Sequence, residues 1–255
     1  MFNSDVTCEY PLADLLAFHE GHGKEGTIMV TQVTDPSKYG VVMYEKDGKI
    51  QRFVEKPKEW VGDRINAGLY IFSPSVLQRI PNKPTSIERE IFPVMAAEDN
   101  LFAMDLPGYW MDIGQPKDYL TGTVMHLASL ASKAPERLAS GANIKGNVLI
   151  HETASIGDGC VIGPDVVVGA GATVGNGVRL QRCTLMQDVS VKDHAFVKNS
   201  IVGWSSTVGA WARVEGSSVI GEDVQVGDGV ALNGTIILPH KGVKESFYEP
   251  GKIIM

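Results

Sequence analysis

Two acids, a lysine and an asparagine stand where their types and neighbours could serve chemistry. Asp112 lies in Tyr109-Trp110-Met111-Asp112-Ile113-Gly114, an apolar and aromatic stretch in which an unpaired charge is costly. An acid in such a place is either hydrogen-bonded structure or a cation ligand. Asp5 closes Asn3-Ser4-Asp5, where an Asp ordinarily forms a turn or an N-cap and less often holds a ligand. Lys56 sits in Glu55-Lys56-Pro57; proline stops the strand and leaves the lysine at its mouth, which alone reads as a solvated edge residue. Asn66 opens the apolar run Ile65-Asn66-Ala67-Gly68-Leu69-Tyr70 beside a glycine that permits close approach. None of these segments is decisive by itself.

The elements that must position them alternate between helix and strand up to about residue 135. Leu12, Leu15, Leu16 and His19 predict a helical stripe, with Gly21 and Gly23 as stop signals. Strands are predicted over 27–34, 41–45, 50–55, 65–73, 101–106 and 109–113, with Asp47-Gly48 as a hairpin signal. Helices are predicted over 87–98 and 117–132, the second with Tyr119, Leu120, Val124, Leu127, Leu130 and Ala131 as its apolar face. This alternation implies a layered α/β domain, joined onward through Lys133-Ala134-Pro135. One literal G-x-G-x-x-G occurs, Gly21 to Gly26, but it follows a helix and precedes a strand. That order is the reverse of what a phosphate-holding helix N-terminus requires, so a C-cap and loop is the expectation.

Beyond the linker a different period takes over. Ile, Val or Leu recurs every six residues at 144, 150, 156, 162, 168, 174 and 180, then 185, 191 and 197, then 202, 208, 214, 220, 226 and 232. Five-residue steps follow Leu180 and Val197. Gly follows many of these rungs, and small or β-branched residues such as Cys160, Ala172 and Ser218 precede them by two. Neither helix nor strand periodicity produces this, so the segment is predicted to be a parallel β-helix of about five three-sided coils. Bulk properties exclude several classes. A net charge of −7 without basic clusters argues against nucleic-acid and anionic-membrane partners. No apolar run is long enough to span a membrane, and the start carries no signal-peptide pattern, so a soluble cytoplasmic protein is expected. Cys160 and Cys183 fall at small inward positions and read as buried hydrophobes of a reducing compartment.

Taken in order and joined to the hexad ladder, the upstream segments resemble the sugar-1-phosphate nucleotidyltransferases, most closely the guanylyltransferases of mannose-1-phosphate. The resemblance is carried by Asn3-Ser4-Asp5, Tyr39-Gly40-Val41-Val42, Glu55-Lys56-Pro57, Ile65-Asn66-Ala67-Gly68, 86–93 (SIEREIFP) and 110–116 (WMDIGQP), and by the tail at 236–241 and 252–255. It spans essentially the whole chain. The implied fold is α/β: a Rossmann-like nucleotidyltransferase domain, truncated at its start, followed by a left-handed parallel β-helix of hexapeptide repeats. The implied domains are a partial nucleotidyltransferase domain over 1–135, the β-helix over 140–240 and a closing tail over 241–255. The implied reaction forms GDP-mannose and pyrophosphate from GTP and mannose-1-phosphate. By the same resemblance Asp5 and Asp112 are the aspartates for Mg2+, and Lys56 is the catalytic lysine on the sugar phosphate. Ser4, Gly40, Glu55, Asn66 and Asp112 are substrate contacts. Self-association or pairing with a regulatory paralogue is also implied.

One departure is large: the family's opening G-x-G-T-R-L-x-P-L-T loop and following Lys-Pro have no counterpart here. The expectation is therefore a chain that keeps the sugar and metal half of the site, lacks the nucleotide half and turns over poorly alone. Two other readings stand beside it. A non-catalytic regulatory or assembly subunit of the same family would explain the missing loop. A hexapeptide acyltransferase would use His151 or His194 as base, although a histidine at a solenoid corner is more often merely exposed and the ladder has no long loop to hold an acyl donor.

Overall fold

A computed structural model describes all 255 residues, which divide into two compact units, Met1–Trp110 and Met111–Met255. The first unit is built around a five-stranded mixed sheet. Its chain order begins with β1 (Val6–Cys8), α1 (Leu12–His22), β2 (Gly26–Gln32), β3 (Gly40–Tyr44), β4 (Ile50–Glu55) and β5 (Arg64–Phe72). Then follow α2 (Phe92–Ala97), β6 (Leu101–Asp105) and β7 (Trp110–Asp112), whose first residue ends the unit. The sheet order is β4-β3-β5-β2-β6, and β1 forms a separate two-stranded sheet with the short strand that begins at Trp110. β2 runs antiparallel to β5 and parallel to β6. Paired on both sides, β2 is buried on both faces, with Ile28-Met29-Val30 between the buried Thr27 and Thr31. Alternation along the strands then sorts two cores. Ile28, Val30, Phe53 and Tyr70 pack with Phe92 and Met95 of α2 on one face; Met29, Ala67 and Leu69 pack with Leu15 of α1 on the other.

The predicted hairpin forms, with β3 antiparallel to β4 and Gly48 at φ 92° donating to the Glu45 carbonyl. Two helical predictions need correction. In α1 the sheet-facing row is Leu15, His19 and His22, while Leu12 and Leu16 are exposed; His19 and His22 both bond the buried Thr27 hydroxyl at 2.8 Å. The helix predicted over 87–98 begins as a π-helical turn, Ile87–Ile91, and becomes α only at Phe92. Pro93 has no N–H to offer the Arg89 carbonyl, so the α ladder cannot run through this point. The Gly21–Gly26 segment is a C-cap and loop, as expected: Gly23 adopts φ 60° and donates to the His19 carbonyl.

In the second unit, α3 (Pro116–Lys133) precedes the solenoid, and Ala139 beyond it packs on the solenoid core and donates to Val148. The second compact unit thus includes α3 as well as the solenoid. The solenoid makes about six turns, its strands stacked in three parallel sheets of seven, six and five strands. Inward columns run Ile150-Val168-Leu185-Val202-Ile220-Ile237-Ile254, Ile156-Val174-Val191-Val208-Val226-Val243 and Ile162-Leu180-Val197-Val214-Leu232. The ladder thus continues past Leu232 through a third five-residue step to Ile237. Residues 241–255, expected as a closing tail, supply two more strands, Gly242–Val243 and Ile253–Ile254. The residues two before each rung line the core as well. Where these are Ser206 and Ser218, their hydroxyls donate to corner carbonyls and accept the N–H of Val224 and Thr235. Among buried side-chain oxygens only that of Thr184 has no partner.

The glycine after a rung serves close approach. A Cβ at Gly209 would lie 2.5 Å from the Asp228 nitrogen of the next coil, so neighbouring coils could not stack with a side chain there. The left-handed corner falls three residues before the rung, where Asp188, His194, Asn199, Trp211 and Asp223 all have positive φ. No helix is long and apolar enough to cross a membrane.

Candidate functional site

The first cluster forms where β3 begins and β4 ends. Gly40 pairs with Glu55 across the two strands. A Cβ on Gly40 would meet the Phe53 ring at 2.5 Å and the Glu55 carboxylate at 2.9 Å, so its bareness makes room for the acid rather than leaving a gap. Glu55 is half-buried, and burial pushes its carboxyl upward; Lys56 opposes that shift and the nearby Glu88 adds to it. The Lys56 ammonium stands 3.8 Å from Glu55 and keeps 58% of its side chain exposed. Its backbone is unusual. Lys56 holds φ 46° directly before Pro57, and its N–H donates to the Tyr39 carbonyl at 3.1 Å. A left-handed lysine is strained, and such strain concentrates at functional positions.

The second cluster occupies the start of β5. Asn66 donates from Nδ2 to the Tyr70 oxygen at 2.8 Å and accepts the Gly68 N–H at Oδ1, 3.0 Å away. Residues 1–3 run alongside: Asn3 N–H donates to the Gly68 carbonyl, Phe2 bridges to Leu69, and the Met1 amino group donates to the Tyr70 carbonyl. Asn3 consequently lies over Gly68, where a Cβ would come within 2.9 Å of its side-chain nitrogen. Gly68 also holds φ 79°. Gly68→Ala is therefore expected to strain the turn, displace Asn3 and lower the melting temperature by several degrees, for about 1–3 kcal/mol. Calorimetric melting of the variant beside Gly62→Ala, whose Cβ would meet nothing closer than 3.6 Å, checks this.

Ser4 and Asp5 form an exposed turn immediately before β1. Asp112 ends β7 and is half-buried, and its Oδ1 accepts the Gly114 N–H at 2.9 Å. Both readings of Asp112 persist, because the bond occupies one carboxylate oxygen and leaves the other. Just before it, Trp110 donates from Nε1 to the Ala67 carbonyl and meets the Tyr39 ring edge-on at 5.5 Å, tying this segment to both clusters. No group of three or more His, Cys, Asp or Glu side chains is arranged to hold a metal. The structure thus brings together Gly40, Glu55 and Lys56, and separately gathers Asn66 with Gly68. His151 makes only local bonds with Thr153, and His194 tilts over Trp211 at 4.4 Å; both are exposed corner residues.

Tyr70, the Asn3 side chain and Glu88 belong to these clusters, although they were not among the expected site residues. A signal existed for Tyr70. Residues 66, 68 and 70 alternate onto one face of β5, so a polar residue at 66 should find its partner two or four positions on.

Residues 1–128 match the family described as Nucleotidyl transferase, and residues 144–253 match that described as GMPPB C-terminal domain. Over its full length the chain is 60% identical to Probable mannose-1-phosphate guanylyltransferase 1 of Oryza sativa subsp. japonica, of which it covers 71%. It is 57% identical, again over its full length and 71% of the relative, to Mannose-1-phosphate guanylyltransferase catalytic subunit beta of Danio rerio. Identity to Mannose-1-phosphate guanyltransferase of Schizosaccharomyces pombe is 58% with the same coverage.

Proposed function

Because this chain belongs to the mannose-1-phosphate guanylyltransferase family of nucleotidyl transferases, we propose that it acts in making GDP-mannose and pyrophosphate from GTP and mannose-1-phosphate. The observation that carries the proposal is the strained, exposed Lys56 beside half-buried Glu55, a cation and an acceptor at one strand end. In this reaction an oxygen of the sugar phosphate attacks the α-phosphorus in line and pyrophosphate leaves. The nucleophile is already ionised, so no protein base is required and catalysis rests on positioning and charge neutralisation. Lys56 neutralises the sugar phosphate. Glu55 accepts from a sugar hydroxyl, Asn66 contacts a second, and the backbone at Gly40 and Ser4 closes around the substrate.

The donor chemistry also fits Mg2+, which takes one or two carboxylates and fills its remaining positions with phosphate oxygens and water. Asp5 is exposed, and Asp112 has an oxygen beyond the one bonded to Gly114. We assign these two as its ligands. When bound, the ion would neutralise phosphate charge. Assembly with copies of itself or with a regulatory paralogue, in the cytoplasm, completes the proposal; three buried free cysteines agree with a reducing compartment.

The test is a panel of hexose 1-phosphates and nucleoside triphosphates with pyrophosphate release as readout. Mannose-1-phosphate with GTP is expected to be preferred; equal use of glucose-1-phosphate with ATP would remove the specificity assignment. In a preparation that releases pyrophosphate, chelation of divalent ions is expected to reduce release to background and Mg2+ to restore it. Persistence of release in excess chelator would reject the carboxylate assignment.

A further inference from the structure

Asn66 is held at both ends of its amide, by the Gly68 N–H on Oδ1 and by the Tyr70 oxygen on Nδ2. A primary amide has two N–H donors, and its two flipped orientations have almost the same shape. What selects one orientation is the polarity of the partners. Gly68 can only donate, so oxygen must face it, and the nitrogen is then directed to Tyr70. The second N–H of Asn66 is left over in a residue that is only partly buried.

Tyr70 is suited to be the fixed end of this arrangement. It is fully buried, stacked on Phe72 at 5.7 Å and tilted on Phe92 at 5.7 Å. The Asn3 side chain also acts on this phenol. Burial, first of all, pushes the phenol up to about 12; the Asn66 bond and the Asn3 side chain pull it down, while the charges of Glu88 and Glu55 add to the rise. The group is therefore a neutral hydroxyl near pH 7.

We propose that Tyr70 is a positioning residue for the sugar site, anchoring the Asn66 amide so that its second N–H faces a hydroxyl of the hexose 1-phosphate. The inference rests on the reading of Asn66 as a sugar contact made above. It assigns Tyr70 no contact with substrate, and predicts that losing one buried oxygen changes sugar affinity while leaving the fold intact.

Calorimetric titration of the 255-residue chain with mannose-1-phosphate tests it, using wild type, Lys56→Ala, Tyr70→Phe, Asn66→Ala and the double variant. Tyr70→Phe keeps the ring and its stacking. It is expected to weaken binding about five- to tenfold, the range of one hydrogen-bond partner. Its melting temperature should stay near wild type, and the double variant should bind no more weakly than Asn66→Ala. Wild-type affinity in Tyr70→Phe, with Lys56→Ala weakened, would overturn the positioning role and leave the site reading standing. Additive losses in the double variant would overturn it too, since they would mean that the two side chains act independently. Should the wild type fail to bind, or Lys56→Ala bind equally well, the site reading falls and the inference with it. If Tyr70→Phe melts early, the titration is repeated well below its melting temperature: weakened sugar binding there supports the role, and wild-type affinity overturns it.

Discussion

Val168→Asp is expected to destabilise the solenoid by about 5 kcal/mol, combining lost burial of an aliphatic side chain with the desolvation of an unpaired carboxylate. Val168 is fully buried and sits in register between Ile150 and Leu185, with no cation in its inward column to pair a charge. A domain typically has only about 5–15 kcal/mol of stability in total, so the loss takes a large share. In a solenoid each coil contacts only its neighbours, and the damage should therefore spread first to the coils carrying Ile150 and Leu185. The control is Thr173→Asp, an exposed, outward residue flanked by Ser155 and Ser190, for which a change within about 0.5 kcal/mol is expected. Thermal unfolding of both variants decides the matter: equal melting temperatures would show the inward assignment to be mistaken.

The second large effect is expected at Lys56. Removing the ammonium in Lys56→Ala should lower kcat/KM for mannose-1-phosphate about 10- to 100-fold, the range of a charge-assisted phosphate contact. Lys56→Arg should restore part of this, because a planar fork replaces a compact point charge on the same strand end. Lys56→Gly separates function from stability. It relieves the left-handed strain at φ 46° and should melt no lower than wild type, yet lose activity as Lys56→Ala does. Steady-state kinetics beside thermal melting read both quantities. A strongly destabilised Lys56→Gly with unaltered kinetics would mean that the residue is structural.

The solenoid was legible because its inward rungs are filled by Ile, Val or Leu, repeating in the chain from Ile144 to Leu232. It faded where other residues could do the work. Phe247 takes an aliphatic place opposite Leu232, and the stretch from Pro239 to Lys241 hides the step from Ile237 to Val243. Left-handed corners were illegible for a related reason. They demand a backbone angle and little from the side chain, so aspartate, histidine, asparagine, serine and tryptophan all serve. In the first unit, strands bounded by turn residues could be read closely, as at Ile50–Glu55, whereas the face of α1 could not. Leu12, Leu15 and Leu16 look equivalent as sequence, and only docking against β2 distinguishes Leu15. Candidate site residues could be picked out by type at Lys56, Asn66 and Asp112. Their partners were harder, because the bond from Asn66 to Tyr70 and the weight of Asn3 on Gly68 depend on how distant segments align.

As far as Ile237, successive coils contain 17 or 18 residues, and the difference arises between the five-stranded and seven-stranded sheets, at the steps from Leu180 to Leu185, Val197 to Val202 and Leu232 to Ile237. Steps at the other two corners keep six residues throughout those coils, so the inward phase on all three sides is preserved whichever length is used. Single-residue insertions and deletions therefore have one edge along which they can accumulate without turning any side chain inside out. Over evolutionary time that edge is where the tail of this molecule is free to change length.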